Sequence, residues 1–483
     1  MILESKKIAF AVSFAVIALN QTEIFAKGDK PNILFIAIDD LNSSPHIMGG
    51  ENSVYTPNLE RLAQKGMLFT NAHCAAPSSG PSRASIMSGM APSNSGVYTN
   101  TQDWRECTNL KDWITIPDHF RNNGYKVIGG GKLYHGSSLT EKSLGGLLDG
   151  EAWDDYFPSK TQQLFPEVMP EKFPANGNIE HYNGFFDWYG QDITNEQTGD
   201  GRLVSWAKEQ LSKQHEKPLF LGVGLYKPHI PWYVPQKYFD MHPLDEVVMP
   251  ETPMDDLMDV PQTAKGESVK LKLDWHKWMV ENNKYREGVR AYNACISFMD
   301  DMIGQILDAL ENGPNSDNTI IVLWSDHGYH TGQKEHWEKY TLWEISTRVP
   351  FIVVDPKGRG KGKECAEPVS LLDVYPTLVE LSETENRQKL DGESVVSLLE
   401  NPTQKSGRAV VTTLNPNSHG VRSDRWRYIE YPDGSCELYD QKNDPKDFIN
   451  LANKPRYSEV IEQMKGYLPT HNEPKNPIKN YKQ

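Results

Sequence analysis

The stretch Asn32-Ile33-Leu34-Phe35-Ile36-Ala37-Ile38 is nearly continuous in apolar side chains and stops abruptly at Asp39-Asp40. A run of that length without alternation is the pattern of a parallel strand covered on both faces. In an open parallel sheet, sites form outside the carboxyl ends of the strands. The two acids are therefore a strand stop and a candidate site at once.

Working outward, Thr56-Pro57 followed by Leu59, Leu62 and Ala63 and closed by Gly66 predicts a helix with its cap, first-turn proline and terminal glycine in place. Further buried strands are expected at Tyr125 to Ile128, Pro218 to Gly224, Thr319 to Trp324 and Pro350 to Val354. Between them, Leu203 to Leu211, the helical spacing of Cys295, Phe298, Met299, Met302, Ile303, Ile306, Leu307 and Leu310, and the segment around Pro376 to Leu381 predict helices. This alternation implies an α/β fold with a large, mostly parallel sheet sandwiched by helices. From about 405 the texture changes to short alternating segments, a Pro432-Asp433-Gly434 turn and a last helix near Ser458 to Leu468. A small C-terminal antiparallel α+β subdomain follows from that pattern.

The N-terminus places Lys6-Lys7 before the apolar run Ile8 to Leu19, with small Ala26 closing a polar stretch. That order reads as a secretory signal, and the run is too short to span a bilayer. The expected organisation is a signal peptide at 1–26, a main domain at 27–403 and a C-terminal subdomain at 404–483, in an exported chain that is periplasmic or secreted and has no membrane partner. With 65 acidic and 50 basic residues the net charge is -15, which argues against nucleic acid as a partner. An anionic substrate would need local positive charge. Cys74, Cys107, Cys295, Cys365 and Cys436 show neither metal-ligand spacing nor a disulfide framework and read mostly as single buried thiols. Residues 137–200 and 243–281 read as irregular insertions, the first rich in aromatics. Trp104, Trp232 and the aromatics of 153 to 189 suit either core packing or stacking on sugar rings.

The stretch Ser79-Gly80-Pro81-Ser82-Arg83, ending at Ser88-Gly89, predicts a short helix with Pro81 at its first position and Gly89 at its end. Ser79 would lie at a helix N-terminus that favours an anion, and Arg83 would aim at the same place. Three strands end in polar groups: Asp39-Asp40, then Gly131-Lys132 with His135, then Asp326-His327. Three converging carboxylates need a cation among them, and oxygen ligands of this kind suit calcium or magnesium.

These motifs resemble the sulfatase family of the alkaline-phosphatase-like superfamily, with serine in place of the commoner cysteine at the first position of the signature. Asp39-Asp40-Leu41-Asn42, Gly131-Lys132-Leu133-Tyr134-His135-Gly136, Lys227-Pro228-His229, Ser325-Asp326-His327-Gly328 and Trp337-Glu338-Lys339-Tyr340 are similar to the iduronate-2-sulfatase branch. The resemblance implies that a maturation enzyme oxidises Ser79 to formylglycine, whose hydrate is the nucleophile, with Arg83 holding it. It implies calcium on Asp39, Asp40, Asp326 and His327, a sulfate gripped by Lys132 and Lys339, and proton transfer by His135 and His229. The substrate it implies is a sulfated carbohydrate, possessing a sulfated uronic acid in the iduronate-like case. The alternatives are a phosphatase or phosphodiesterase of the same fold with unmodified Ser79, and a non-catalytic glycan-binding homologue.

Overall fold

A computed structural model describes residues 30–50, 54–136, 149–266 and 272–476. The expected signal peptide, and parts of both expected insertions, lie outside them. Eight strands form one sheet: β1 (Asn32–Ile38), β2 (Met67–Phe69), β3 (Lys126–Gly131), β4 (Asp155–Phe157), β5 (Leu219–Leu225), β6 (Thr319–Ser325), β7 (Phe351–Val354) and β8 (Lys363–Cys365). Their order across the sheet is β8-β2-β7-β6-β1-β5-β3-β4. Strand β1 is central and parallel to both β5 and β6. Only β7 runs against its neighbours, β6 and β2.

The apolar run of β1 feeds two cores. Leu34, Ile36 and Ile38 enter one, and Ile33, Phe35 and Ala37 enter the other. Helices α1 (Pro57–Lys65), α3 (Gly199–Leu211) and α4 (Tyr285–Glu311) pack on the first face, while α2 (Ser79–Ser88) and α5 (Val374–Leu381) pack on the second. This is the alternation of strand residues between faces that a sheet covered on both sides requires.

Several local expectations are revised. The side chain of Thr56 makes no capping bond to α1. Instead Asp300 of α4 accepts from the backbone N–H groups of Asn58 and Leu59 at 3.0 and 2.9 Å, so a long-range carboxylate does the capping. Pro81 is the third residue of α2, with Ser79 the first. The position costs nothing, since the first four helical N–H groups have no intrahelical partner. The glycines after Ile128 continue β3 rather than ending it. A Cβ on Gly129 would come within 2.5 Å of Trp153, and one on Gly130 within 2.8 Å of Leu203, so these glycines let both layers approach the sheet. Part of the 137–200 segment is structural too, since β4 adds an edge to the main sheet and Trp153, Tyr156, Phe186 and Trp188 are buried. Trp104 and Trp232 are likewise core residues.

Towards the C-terminus, β9 (Val410–Asn415), β10 (Ser418–Arg422), β11 (Trp426–Glu430) and β12 (Cys436–Asp440) form an antiparallel sheet that packs with α6 (Ser458–Lys465). It is bonded to the main body. Thr413 N–H donates to the Ala75 carbonyl at 2.8 Å, and Arg422 and Arg427 pair with buried Glu344. All five cysteines are free thiols, four of them buried. Among the described residues, no helix is long and apolar enough to cross a membrane.

Candidate active site

Four neighbouring parallel strands, β6, β1, β5 and β3, deliver the polar residues. Asp326 and His327 follow β6, Asp39 and Asp40 follow β1, His229 comes four residues after β5, and Lys132 and His135 follow β3. Helix α2 adds Ser79 and Arg83, and the hairpin of His330–Thr331 with Trp337–Glu338 presents Lys339. The sequence-predicted residues therefore come together at the carboxyl edge of the sheet.

Asp39, Asp40, Asp326 and His327 offer ligand atoms that all lie within 4.8 Å of one another, and all four residues are buried. Asp326 Oδ1 accepts from the N–H groups of Asp40 and His327, at 3.1 and 3.0 Å, which locks two strand ends together. Asp40 holds a left-handed backbone, φ 62°, and the Tyr292 hydroxyl donates to its carbonyl at 2.7 Å. Such conformations in non-glycine residues cluster at functional sites. Burial, together with the charges of Asp39 and Asp326, pushes the Asp40 carboxyl up to about 8 in spite of Lys339. For Asp39, burial acts upward, but Lys132, His229, Arg83 and Lys339 outweigh it and hold the group well below the usual range. His327 Nδ1 lies 2.9 Å from the Gly328 carbonyl and donates to it, which turns the Nε2 lone pair toward the acids. Burial first, and Lys339 next, depress this imidazole to about 4.

The donor set fits a divalent cation. Three buried carboxylates and a neutral imidazole converge, and Asp40 Oδ2 accepts no hydrogen bond among the described residues. A cation would remove the mutual repulsion that raises Asp40.

Ser79 Oγ sits at the edge of this cluster, 2.9 Å from His327 Nε2 and 3.3 Å from Asp39 Oδ1. Arg83, one turn along, donates through Nε to Asp326 at 2.9 Å, through Nη2 to Asp39 at 3.2 Å and through Nη1 to the Lys132 carbonyl. It is 1% exposed, so its charge is spent inside the site. Lys132 pairs with Asp39 and lies over the Tyr226 ring. Lys339 reaches Asp40 Oδ1 at 2.7 Å. Burial lowers the Lys132 ammonium, with Asp39 opposing. Lys339 is also lowered by burial, but Asp40 and its neighbours more than compensate and its net shift is upward.

His229 Nε2 is 3.8 Å from Asp40 Oδ2, and its Nδ1 faces the Ile230 carbonyl at 2.5 Å. His135 has a buried Nδ1 with no hydrogen-bond partner among the described residues. Burial, with Lys132 and Lys339 adding to it, depresses both imidazoles well below their ordinary value. Both are thus neutral bases in a positive field.

Sequence reasoning passed over Asn100. Its Oδ1 accepts from Gly80 N–H at 2.7 Å and from Ser78 Oγ at 2.8 Å, and its Nδ2 donates to the Tyr340 hydroxyl at 3.3 Å. A lone asparagine in a loop carries no sequence signal. Gly80 could have pointed to it, because a Cβ there would meet the Asn100 Cα at 2.9 Å. His336 supports Lys339 from behind: its Nε2 lies 2.8 Å from the Lys339 carbonyl.

The chain is similar to known proteins along most of its length. The sulfatase family matches residues 31–384, and the N-sulphoglucosamine sulphohydrolase C-terminal family matches residues 332–473. A sulfatase of Formosa agariphila is 37% identical over 94% of this chain and 89% of its own length. Human iduronate 2-sulfatase is 27% identical over 94% of this chain and 84% of its own. Among solved structures, a protein in complex with its substrate D-glucosamine-2-N,6-O-disulfate superposes with a TM-score of 0.70 at 21% identity, covering 91% of this chain and 96% of that one. The phosphonate monoester hydrolase of Agrobacterium radiobacter superposes with 0.71 at 21%, over 90% and 94%, which speaks for the shared fold alone. The chain belongs to the sulfatase family, and it is an enzyme of that family, a sulfuric ester hydrolase.

Proposed function

We propose that the protein hydrolyses sulfate esters on a sulfated carbohydrate, through a formylglycine made from Ser79 by a maturation enzyme and with calcium bound by Asp39, Asp40, Asp326 and His327. The observation that carries this reading is the placement of Ser79 Oγ between His327 Nε2 and Asp39 Oδ1, at the rim of a buried ligand cluster. A plain serine hydroxyl there would be a weak nucleophile with His327 Nε2 committed to a cation, because that imidazole could not then take its proton. Formylglycine supplies a geminal diol, one oxygen of which can attack sulfur while the other later expels sulfate. Calcium supplies charge that neutralises the ester and its developing negative oxygens.

The chain's own residues do the rest. Arg83 fixes Asp39 and Asp326 relative to α2, so the nucleophile and the ligand cluster move as one body. Lys132 and Lys339, paired with Asp39 and Asp40, provide beside the cluster the positive charge that an acidic protein otherwise lacks, and would hold the sulfate oxygens. His229 and His135, held neutral, would take the proton that the attacking hydroxyl gives up and pass it to the sugar oxygen as it leaves. Human iduronate 2-sulfatase and the structure holding a disulfated glucosamine support a sulfated sugar, a uronic acid included, as the substrate class. Of the described residues, only one group of this type offers three or more metal ligands. A phosphatase using two metal sets has no second set there. The periplasm or the exterior of the cell is the place where polymeric sulfated sugars would be met.

Sulfate, phosphate and phosphonate monoesters of one aryl alcohol, assayed side by side with calcium-loaded protein from a host with serine-type maturation, test the reaction class. Sulfate ester turnover is expected to exceed the other two by about two orders of magnitude. A phosphate or phosphonate preference would falsify the reading.

A further inference from the structure

Among the aromatics between 153 and 189, Phe173, Tyr182 and Tyr189 are exposed, Tyr182 at 42%, whereas Trp153, Tyr156, Phe186 and Trp188 are buried. Yet the charges of Glu338, Lys339, Asp40 and Asp39 all act on its hydroxyl, and burial at that end pushes the phenol above its ordinary value. The residue thus meets solvent, and its segment packs toward the Lys339 hairpin, with the Phe186 ring centroid 5.4 Å from that of Trp337.

Tyr340, half-buried, directly follows Lys339 at the end of that hairpin, and the charge of Tyr182 bears on its phenol. Tyr340 is tied to the nucleophile helix. Its N–H donates to the Pro77 carbonyl at 3.0 Å, and its hydroxyl accepts from Asn100, which also accepts from Ser78 and Gly80. Tyr182 is anchored from its own side: its carbonyl accepts from Phe185 N–H at 3.0 Å, and the preceding His181 approaches Asp274 at 3.3 Å and packs near Trp275. The backbone carries a second, independent mark. Tyr182 and Asn183 on one side, and Glu338 and Tyr340 on the other, all hold left-handed conformations, with φ of 51°, 53°, 81° and 71°. Bulky and charged residues keep such angles only where surroundings over-determine them, and that happens at ligand clamps.

Two tyrosines with apolar faces and hydroxyl tips match a pyranose, which has an apolar C–H face edged by hydroxyl groups. We propose that Tyr182 and Tyr340 form the rim of the subsite for the sugar ring that bears the sulfate ester, with Asn100 fixing Tyr340 relative to Ser79 and Tyr182 selecting the sugar. This rests on the carbohydrate reading given above. It adds the residues that choose the alcohol part of the ester, distinct from those that hold sulfate.

The test compares kcat and KM of the matured, calcium-loaded protein and its Tyr182→Phe, Tyr182→Ala and Tyr340→Ala variants on monosulfated uronic acid and glucosamine disaccharides and on 4-nitrophenyl sulfate. For the alanine variants, kcat/KM on the preferred disaccharide should fall relative to that on the aryl sulfate by about tenfold, mainly through KM, while Tyr182→Phe stays within about threefold of the parent ratio. An unchanged ratio overturns the rim assignment, whether both activities fall together or neither falls. Should Tyr340→Ala fail to fold, judged by Tm, the two Tyr182 variants decide. A parent enzyme that cleaves the aryl sulfate but none of the sugars overturns the carbohydrate reading itself, which separates that failure from failure of the rim alone.

Discussion

Arg83 shows most plainly how a single side chain serves both stability and chemistry. It is buried between Asp39 and Asp326, and Coulomb attraction from both acids keeps it charged against burial. Removing one partner of a buried ion pair leaves uncompensated charge and costs about 3–5 kcal/mol, whereas an exposed pair is worth under about 1 kcal/mol. Arg83→Met is therefore expected to abolish sulfate release and also to lower stability by about 3 kcal/mol in calcium-free buffer, measured by urea denaturation. Ser79→Ala should leave stability nearly unchanged while removing activity. Equal stability losses in the two variants would contradict the role given to Arg83. At this scale the sequence was informative where a residue stands in a motif: Asp39, Asp40, Ser79, Arg83, Lys132, Asp326 and His327 were all legible. Asn100 was not, because it acts through a position that only the folded chain creates, and Tyr182 was legible only as one of the aromatics of 153 to 189 that suit either core packing or stacking on sugar rings.

At the scale of elements, the close approach of β3 and β5 sets the depth of the site. Gly131 turns left-handed at φ 71°, and its neighbour Gly224 on β5 lies so near that a Cβ there would meet the Lys132 carbonyl carbon at 2.3 Å. The Lys132 N–H donates to the Gly224 carbonyl at 2.7 Å. A methyl group at 224 must push Lys132 outward or strain the sheet. Gly224→Ala is expected to cost about 1–3 kcal/mol of stability and to raise KM for sulfate esters. Thermal denaturation and steady-state kinetics check this, and an unaltered KM would show that Lys132 does not depend on that contact. Strand identities were legible from apolar runs, since burial on both faces dictates composition directly. The direction of β7 was not, because an antiparallel central strand needs the same side chains as a parallel one. Nor were the three glycines legible as strand, since glycine signals a turn unless the bulk beside it, here Trp153 and Leu203, is known.

The whole molecule is assembled around one charge-dense point. Four parallel strands, α2 and the Lys339 hairpin meet at the acidic cluster, and the C-terminal sheet is fastened behind it through Glu344, whose carboxyl is raised by burial but drawn well below its ordinary range by Arg422 and Arg427. A cation bound there should therefore stabilise the global fold. At calcium one hundred times its Kd, mass action gives about 2.7 kcal/mol, visible as a rise in Tm of several degrees that EGTA reverses. Magnesium at the same concentration should do less, and a Tm insensitive to both would argue against a cation at this cluster. The small C-terminal antiparallel sheet was legible because alternating α/β texture gives way to short strands near 405; its close fastening to the main sheet was not, since it depends on buried pairs far apart in sequence. The central proposal is that Ser79 is a precursor rather than a nucleophile in its own right. The most direct measurement is the mass of the peptide containing Ser79, taken from fully active protein of the native host. A species lighter than the serine form by two hydrogens and reactive toward a hydrazide is expected. Active protein carrying only unmodified serine at position 79 would contradict it.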